Sequence, residues 1–416
     1  MTAGTRTRQK TGLRRERHEP EYTILVAVVA LAAIGILMVY SSSAMKAYVQ
    51  YDDAFRIVGP QLVWGILGIG AMVLMMRVDY RYLRLVSIPM YAFAVVLLVL
   101  VLVPGFGVRV GGSARWLQVG PLPAIHPAEF AKLALVVYLA HWFARRGTEV
   151  RSFTRGTLPF LVVFAPIVLL VLREPDLGTS SVIGLTAFAM FFAAGASLTH
   201  LAAMGALALA AVTVVVVRTP YQLERVRTFI DPWSDPQGAG FHTIQGLLAL
   251  GIGGILGAGL GESRSAGGLF LPNASNDFIF AIIGEEFGLI GAGLVIVLFL
   301  VIAYQGIRTA LAAPDTFGAL LAAGVTAWIS VQAFINIGVV VSLVPVTGIT
   351  LPFISAGGSS LIISFAAVGI LLSVSRETVE RGTWNDAPAD RGRGHGRAHL
   401  PGPRRRPIAP RATGRA

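Results

Sequence analysis

Apolar runs of about 17 to 25 residues, each long enough to cross the roughly 30 Å hydrocarbon core of a bilayer as a helix, recur along this chain with short polar breaks between them. They fall at roughly 22–42, 57–76, 85–104, 127–143, 157–172, 179–196, 198–217, 278–304, 316–343 and 352–374. The pattern predicts an all-α polytopic membrane protein of about ten transmembrane helices, with one large external loop, 218–277, between spans seven and eight. The pair at 179–217 is separated only by Gly195–His200, so one long re-entrant hairpin would look the same. The 218–277 connection is far longer than ordinary loops, which points to a functional segment. Within it, Phe241–Leu260 is apolar and glycine-rich, and reads as an interfacial dip rather than an eleventh span. The membrane domain thus covers 22–375. A basic tail, 1–21, precedes it, and a Gly-, Pro- and Arg-rich tail, 376–416, follows with too few apolar residues to build a core, so it is expected to be disordered.

Composition agrees with this reading: 55% of residues are hydrophobic and 13% charged, and the mean hydropathy is +0.70. A net charge of +12 suggests nucleic acid at first sight, but most of the basic residues lie in the two tails and in alternate short loops. Arg77, Arg81 and Arg84, then Arg145, Arg146, Arg151 and Arg155, then Arg308 share one side with both termini if the N-terminus is cytoplasmic. That is the positive-inside pattern of a multi-pass protein, with no nucleic-acid partner, and it requires an even number of spans. The first run, preceded by some twenty polar residues, reads as a retained signal anchor. There is no cysteine, which excludes disulfides, thiolate nucleophiles and thiolate metal ligands.

Four polar groups stand where the membrane makes them expensive. Gly111–Trp116, with Arg115, precede the fourth span, which opens on His126, Pro127, Ala128, Glu129 and Lys132. Glu129 suits a helix start. Lys132 opposes the same dipole, so it either pairs locally with Glu129 at i, i+3 or joins Arg115 in facing an anion such as a lipid pyrophosphate. Arg173, Glu174, Pro175 and Asp176 form a charged turn or part of a site. Asp277 opens the eighth span and is an N-cap or a reactive carboxylate. Below it run Ala281, Gly284, Gly288 and Gly291, a stripe permitting close helix approach or an acyl-chain groove. Glu285 and Glu286, buried deeper, are read as structural, protonated or paired with a cation. Pro345–Ser360, with Ser355 and Ser359, is non-helical backbone beside the membrane, either a cavity wall that meets substrate or a tight external turn.

These stretches, GGSARWLQVG with HPAEFAKL, REPDLGT, DPWSDPQGAGFHTIQ, NDFIFAIIGEEFGLIG and PVTGITLPFISAGGSS, resemble in order those of the SEDS family of bacterial cell-wall proteins, which contains FtsW, RodA and SpoVE. The resemblance covers nearly all of 22–375. It implies a ten-helix glycosyltransferase of the bacterial cytoplasmic membrane that polymerises lipid II into glycan strands on the outer face, with a class B penicillin-binding protein as partner. It assigns the essential acid to Asp277, substrate binding to Glu129, Lys132 and Arg115, and leaves open a divalent cation at the pyrophosphate. The motifs lean toward a division-type member over an elongation-type one, and Tyr40–Ser43 belongs to that lean. Departures are His126 where Gln is common, Ala128 where Ser is, and an altered stretch Ser263–Asn276 that has lost a lysine and carries Ser275 where His is frequent. They put acceptor binding in doubt and leave Asp277 intact. The rivals are a lipid II flippase and an inactive scaffold that recruits a transpeptidase.

Overall fold

The computed structural model describes residues 15–17, 19–110, 113–118, 124–266, 271 and 274–379. The helices are α1 (Tyr22–Tyr51), α2 (Val58–Arg77), α3 (Leu83–Leu102), α4 (Pro127–Arg146), α5 (Leu158–Arg173), α6 (Leu177–Ala193), α7 (Leu198–Arg218), α8 (Pro220–Ile230), α9 (Phe241–Gly253), α10 (Ile279–Ala312), α11 (Thr316–Val340) and α12 (Gly358–Ser375). Each of the ten apolar runs forms its own helix, and α6 and α7 are separate. Eight of these, α1, α2, α3 counted from Tyr80, α5 counted from Phe153, α7, α10, α11 and α12, are long and apolar enough to cross a membrane.

Of the other two, α6 is apolar but only 17 residues long, whereas α4 has the length and lacks the hydropathy, for a reason that burial supplies. A helix wrapped by other helices does not need a lipid-soluble surface. In α4 most side chains are buried, Glu129 and Lys132 included, and it packs on α3, α6 and α11. The 17-residue α6 packs against α11, α4 and α5. At the other extreme α7 buries only Met204 and lies at the periphery. The tightest pairing is α2 along α12, where Gly68 meets the Phe365 ring and Gly369 meets the Met72 backbone.

Four differences from the sequence reading have local causes. The apolar start of the last span is not helical: residues 345–357 form a non-helical strap, buried at Leu351–Ser355, and the helix begins only at Gly358. Trp116 lies in a short hairpin, β2 (Gly107–Val110) with β3 (Ser113–Leu117), rather than an irregular loop; Gly111 and Gly112 lie outside the described residues. The long 218–277 connection folds into α8 and α9. At about 1.5 Å per residue, α9 is roughly 20 Å long and too short to span; it lies against α10 instead. Finally, the tails approach each other where β1 (Arg15–Arg17) pairs antiparallel with β4 (Glu377–Val379). The remaining tail residues, 1–14, 18 and 380–416, where disorder was expected, lie outside the described residues, as do 267–270, 272 and 273 of the altered loop.

The small-residue stripe on α10 is filled rather than open. At Gly288, φ is +64° and the helix breaks. The break frees two carbonyls and two N–H groups, and the glycine-rich chain after α9 takes up all four. Ala258 and Gly259 donate to Glu285 and Glu286 O, while Leu289 and Ile290 donate to Gly254 and Ile255 O, at 2.8 to 3.3 Å. A Cβ at Gly257 would sit 2.1 Å from Glu286 O, and one at Gly253 1.9 Å from Gly284 O. No acyl groove remains at those positions. Glu285 accepts from Ser263 Oγ at 2.6 Å and Arg264 N at 2.9 Å, and Glu286 accepts from Ser41 Oγ at 2.5 Å. Among the described residues neither carboxylate has the cation partner that burial suggested. Hydrogen-bond donors replace it.

Candidate functional site

Asp277 lies one residue before the cap of α10. The cap residue is Phe278, and no side chain caps this helix, so Asp277 is not held by the helix-start role its position suggested. Its backbone carbonyl accepts from Asn336 Nδ2 at 2.8 Å, and the same amide donates to Ile349 O at 2.7 Å. Asn336 on α11 thereby clamps the start of α10 to the strap. The Asp277 side chain is buried against the protein yet contributes to the wall of a cavity of about 360 Å³, lined also by Tyr221, Glu224, Arg225, Thr228, Gly238, Ala239, His242 and Val346. Burial pushes its carboxyl up to about 6, against the pull of a backbone hydrogen bond and of the Arg225 charge. A carboxylate that binds a proton in that range is suited to take one up at neutral pH.

The other residues singled out by sequence lie behind this wall. Lys132 Nζ donates to Glu129 at 2.9 Å and to Gln332 Oε1 at 2.6 Å, and lies 5.0 Å from the centre of the Trp328 ring. Ser360 Oγ donates to the second Glu129 oxygen at 2.9 Å. The i, i+3 pair is therefore real, and it is locked into a buried network joining α4, α11 and α12. Gln332, one turn from Asn336, completes it by donating to Thr350 O of the strap at 3.0 Å. Breaking one member of such a pair is costly, because the partner charge is left buried.

The strap is built into the protein rather than forming an exposed turn. Ser355 Oγ accepts from Leu351 N at 2.7 Å and donates to Asn276 O at 2.6 Å, and Ala356 N donates to Ser275 O at 2.9 Å. Ser359 Oγ accepts from His126 N at 3.1 Å. Gly35 on α1 and Gly178 on α6 leave the space in which the strap runs, with Cβ positions that would fall 2.6 to 2.7 Å from its atoms. Non-helical backbone at membrane depth is tolerated when enclosed in this way, and it places Val346 on the cavity.

Arg115 caps a turn. Its Nε and Nη2 donate to the carbonyls of Glu174 and Pro175 at 3.1 and 2.7 Å. The Glu174 carboxyl has no hydrogen-bond partner among the described residues; burial and neighbouring Asp176 push it up to about 8, with Arg115 pulling the other way. Asp176 caps α6 through Thr179 N at 2.9 Å and stands 3.7 Å from His126 Nε2. Burial holds the His126 imidazole below its ordinary value, partly offset by Asp176 and Glu129.

The structure thus gathers Glu129, Lys132, Ser355 and Ser359 around the strap and sets Arg115 beside the 174–176 turn. None of them is among the residues lining the Asp277 cavity. Sequence reasoning passed over Gln332 and Asn336, although two amides one turn apart on an apolar run are a signal in a membrane helix. It also passed over Arg225, whose i, i+4 spacing from Tyr221 on the Pro220-headed α8 was the available clue. Among the described residues no three His, Asp or Glu side chains gather into a metal-holding group.

A family model described as "Cell cycle protein", for FtsW, RodA and SpoVE, matches residues 22–380. The chain belongs to that FtsW/RodA/SpoVE family. It is 43% identical to stage V sporulation protein E of Bacillus subtilis over 361 residues, covering 87% of this chain and 98% of the relative. It is 40% identical to a probable peptidoglycan glycosyltransferase FtsW of Geobacter sulfurreducens over 357 residues, covering 85% and 95%. Among solved structures, a chain of a peptidoglycan synthase complex, solved for its coordination of polymerization and crosslinking, superposes with a TM-score of 0.71 at 31% identity, covering 86% and 98%. The rod shape determining protein RodA of Thermus thermophilus superposes with a TM-score of 0.63 at 27% identity, covering 86% and 97%.

Proposed function

We propose that this multi-pass membrane protein is a peptidoglycan glycosyltransferase that polymerises lipid II at the outer face of the bacterial cytoplasmic membrane, in septal wall synthesis. The observation that carries the reading is the buried Asp277 carboxylate on the wall of the cavity, with a proton affinity set by burial near 6. The names of the glycosyltransferase relatives and the synthase-complex neighbour support the same chemistry; the cell-cycle description of the family supports the septal role.

In this reaction Asp277 takes the proton of the acceptor GlcNAc 4-hydroxyl. That oxygen bonds to the anomeric carbon of the donor MurNAc, and the bond from that carbon to the pyrophosphate breaks. Undecaprenyl pyrophosphate departs with the electron pair. Asn336 and Ser355 fix the backbone from which Asp277 projects, while Gln332, with Glu129, Lys132 and Ser359, braces the strap. Arg115 holds the 174–176 turn. A divalent cation, if one takes part, would be carried chiefly by the pyrophosphate with at most one or two protein carboxylates, and no step here depends on it. A class B penicillin-binding protein is the proposed partner, joining polymerisation to crosslinking.

A lipid II carrier is the rival with an observation behind it, since the α10 break is of the kind carriers use. The freed backbone groups at that break bind one another's chain rather than a ligand, which favours the enzyme. The test is polymer length on a gel, using purified protein, partner and lipid II. Asp277→Asn should lower the rate by about 10² to 10⁴. Wild-type rates from the variant would refute the assigned role, and lipid II translocation by a wild type that makes no polymer would establish the carrier.

A further inference from the structure

The cation on the wall of the Asp277 cavity is neither Lys132 nor Arg115. Lys132 is buried and committed to Glu129, Gln332 and the Trp328 ring. Arg115 spends two donors on the carbonyls of the 174–176 turn. Arg225, on α8, lines the same cavity as Asp277. Among the described residues its only polar partner is the Tyr221 hydroxyl, and its guanidinium lies over the Tyr221 ring, 4.4 Å from the centre. It makes no ion pair there, although its charge reaches the Asp277 carboxyl and Glu224 stands next to it at the exposed rim. Stacking on Tyr221 orients the planar fork while most of its five donors stay available.

We infer that Arg225 binds the pyrophosphate of the donor lipid, using its donors to hold the leaving group as the bond to the anomeric carbon breaks, with Tyr221 orienting it. The inference rests on the glycosyltransferase reading and assigns the anion subsite within it. A bidentate guanidinium is the side chain best matched to a phosphate group. The leaving oxygen gains the bonding electron pair, so a fixed cation stabilises the transition state more than the ground state. Glu224 opposes this charge at the mouth, where solvent screens it, and makes the subsite adjustable in both directions.

The experiment uses the full chain in detergent with its partner. Inhibition of polymerisation by farnesyl pyrophosphate is compared with inhibition by farnesol, and direct binding of farnesyl pyrophosphate is measured on the Asp277→Asn protein, which needs no turnover. Arg225→Gln should weaken pyrophosphate binding about 10- to 100-fold while leaving farnesol unaffected. Arg225→Lys should recover part of it, and Glu224→Gln should tighten it. Melting temperatures check that the variants fold. Unchanged pyrophosphate binding in folded Arg225→Gln overturns the assignment, as does equal weakening toward farnesol. Arg225-dependent binding in a wild type that makes no polymer keeps the anion subsite and removes the polymerase reading.

Discussion

At the scale of a residue, Asp277 combines two properties that pull against each other. Burial raises its carboxyl to about 6, so ionising it at neutral pH costs folding free energy. The sign follows from proton linkage: between the ordinary carboxylate range near 4 and the folded value near 6, the folded state binds more protons than the unfolded one. Stability from this group is therefore full below pH 4 and lost as pH rises through 6. Asp277→Asn, which removes that cost, should melt at pH 7.5 no lower than wild type while losing activity. The wild-type rate should rise with pH through about 6 and level off above it. Arg225, His242, Glu224 and Tyr221 also face the cavity; His242→Asn retaining the acid limb assigns that limb to Asp277, and a limb that vanishes with His242 refutes the assignment. The position of Asp277 ahead of an apolar helix was legible in the sequence because a carboxylate there is expensive. Arg225 was not, because a cation on a polar, solvent-edged helix costs nothing and leaves no mark in the hydropathy pattern.

At the scale of an element, the ten apolar helices were legible because a bilayer enforces them: a backbone in hydrocarbon must satisfy its own hydrogen bonds. What fills the small-residue face of α10 was not legible, since a stripe of glycine reads the same whether it meets lipid, ligand or another backbone. The four hydrogen bonds between 254–259 and the α10 break exist only once α9 has turned back along α10. The strap was misread in part for a similar reason. Leu351, Phe353 and Ile354 are as apolar as a helix start, but their burial serves packing against α1 and α12 rather than lipid. The break makes a direct prediction. A Cβ at Gly288 would lie 2.5 Å from Gly257 N at a φ of +64°, so Gly288→Ala should cost roughly 1–3 kcal/mol from backbone strain alone, with the clash adding to it. Gly251 on α9 has open space around it, and Gly251→Ala should be neutral or slightly stabilising. Thermal melts in one detergent compare the two, and equal melting temperatures would mean that the crossed backbone bonds do not hold α9 to α10.

At the scale of the whole molecule, the pairing of Arg15–Arg17 with Glu377–Val379 brings the two ends of the membrane domain together. They meet at the face where Arg81 binds Asp315 and Glu377, and Arg84 binds Asp315 at 2.8 Å. Chain ends that meet on one face fit an even number of crossings, and from the arginines there we propose that this face is cytoplasmic, as the positive-inside rule expects. Ten spans meet both conditions if the short α6 and the charged α4 cross inside the bundle, where their neighbours rather than lipid surround them. On that proposal the Asp277 cavity, formed with α8 and α9 of the long connection, opens on the opposite, external face. Because the chain contains no cysteine, single exposed cysteines can test this without background. Ser234→Cys, in the connection before α9, should react with an impermeant maleimide on intact protoplasts. Thr148→Cys, between α4 and α5, should react only after lysis. Labelling of both from outside would require an even number of spans between them, where α5, α6 and α7 make three, and protection of Ser234→Cys until lysis would put the cavity on the cytoplasmic side, where an extracytoplasmic polymerase cannot work.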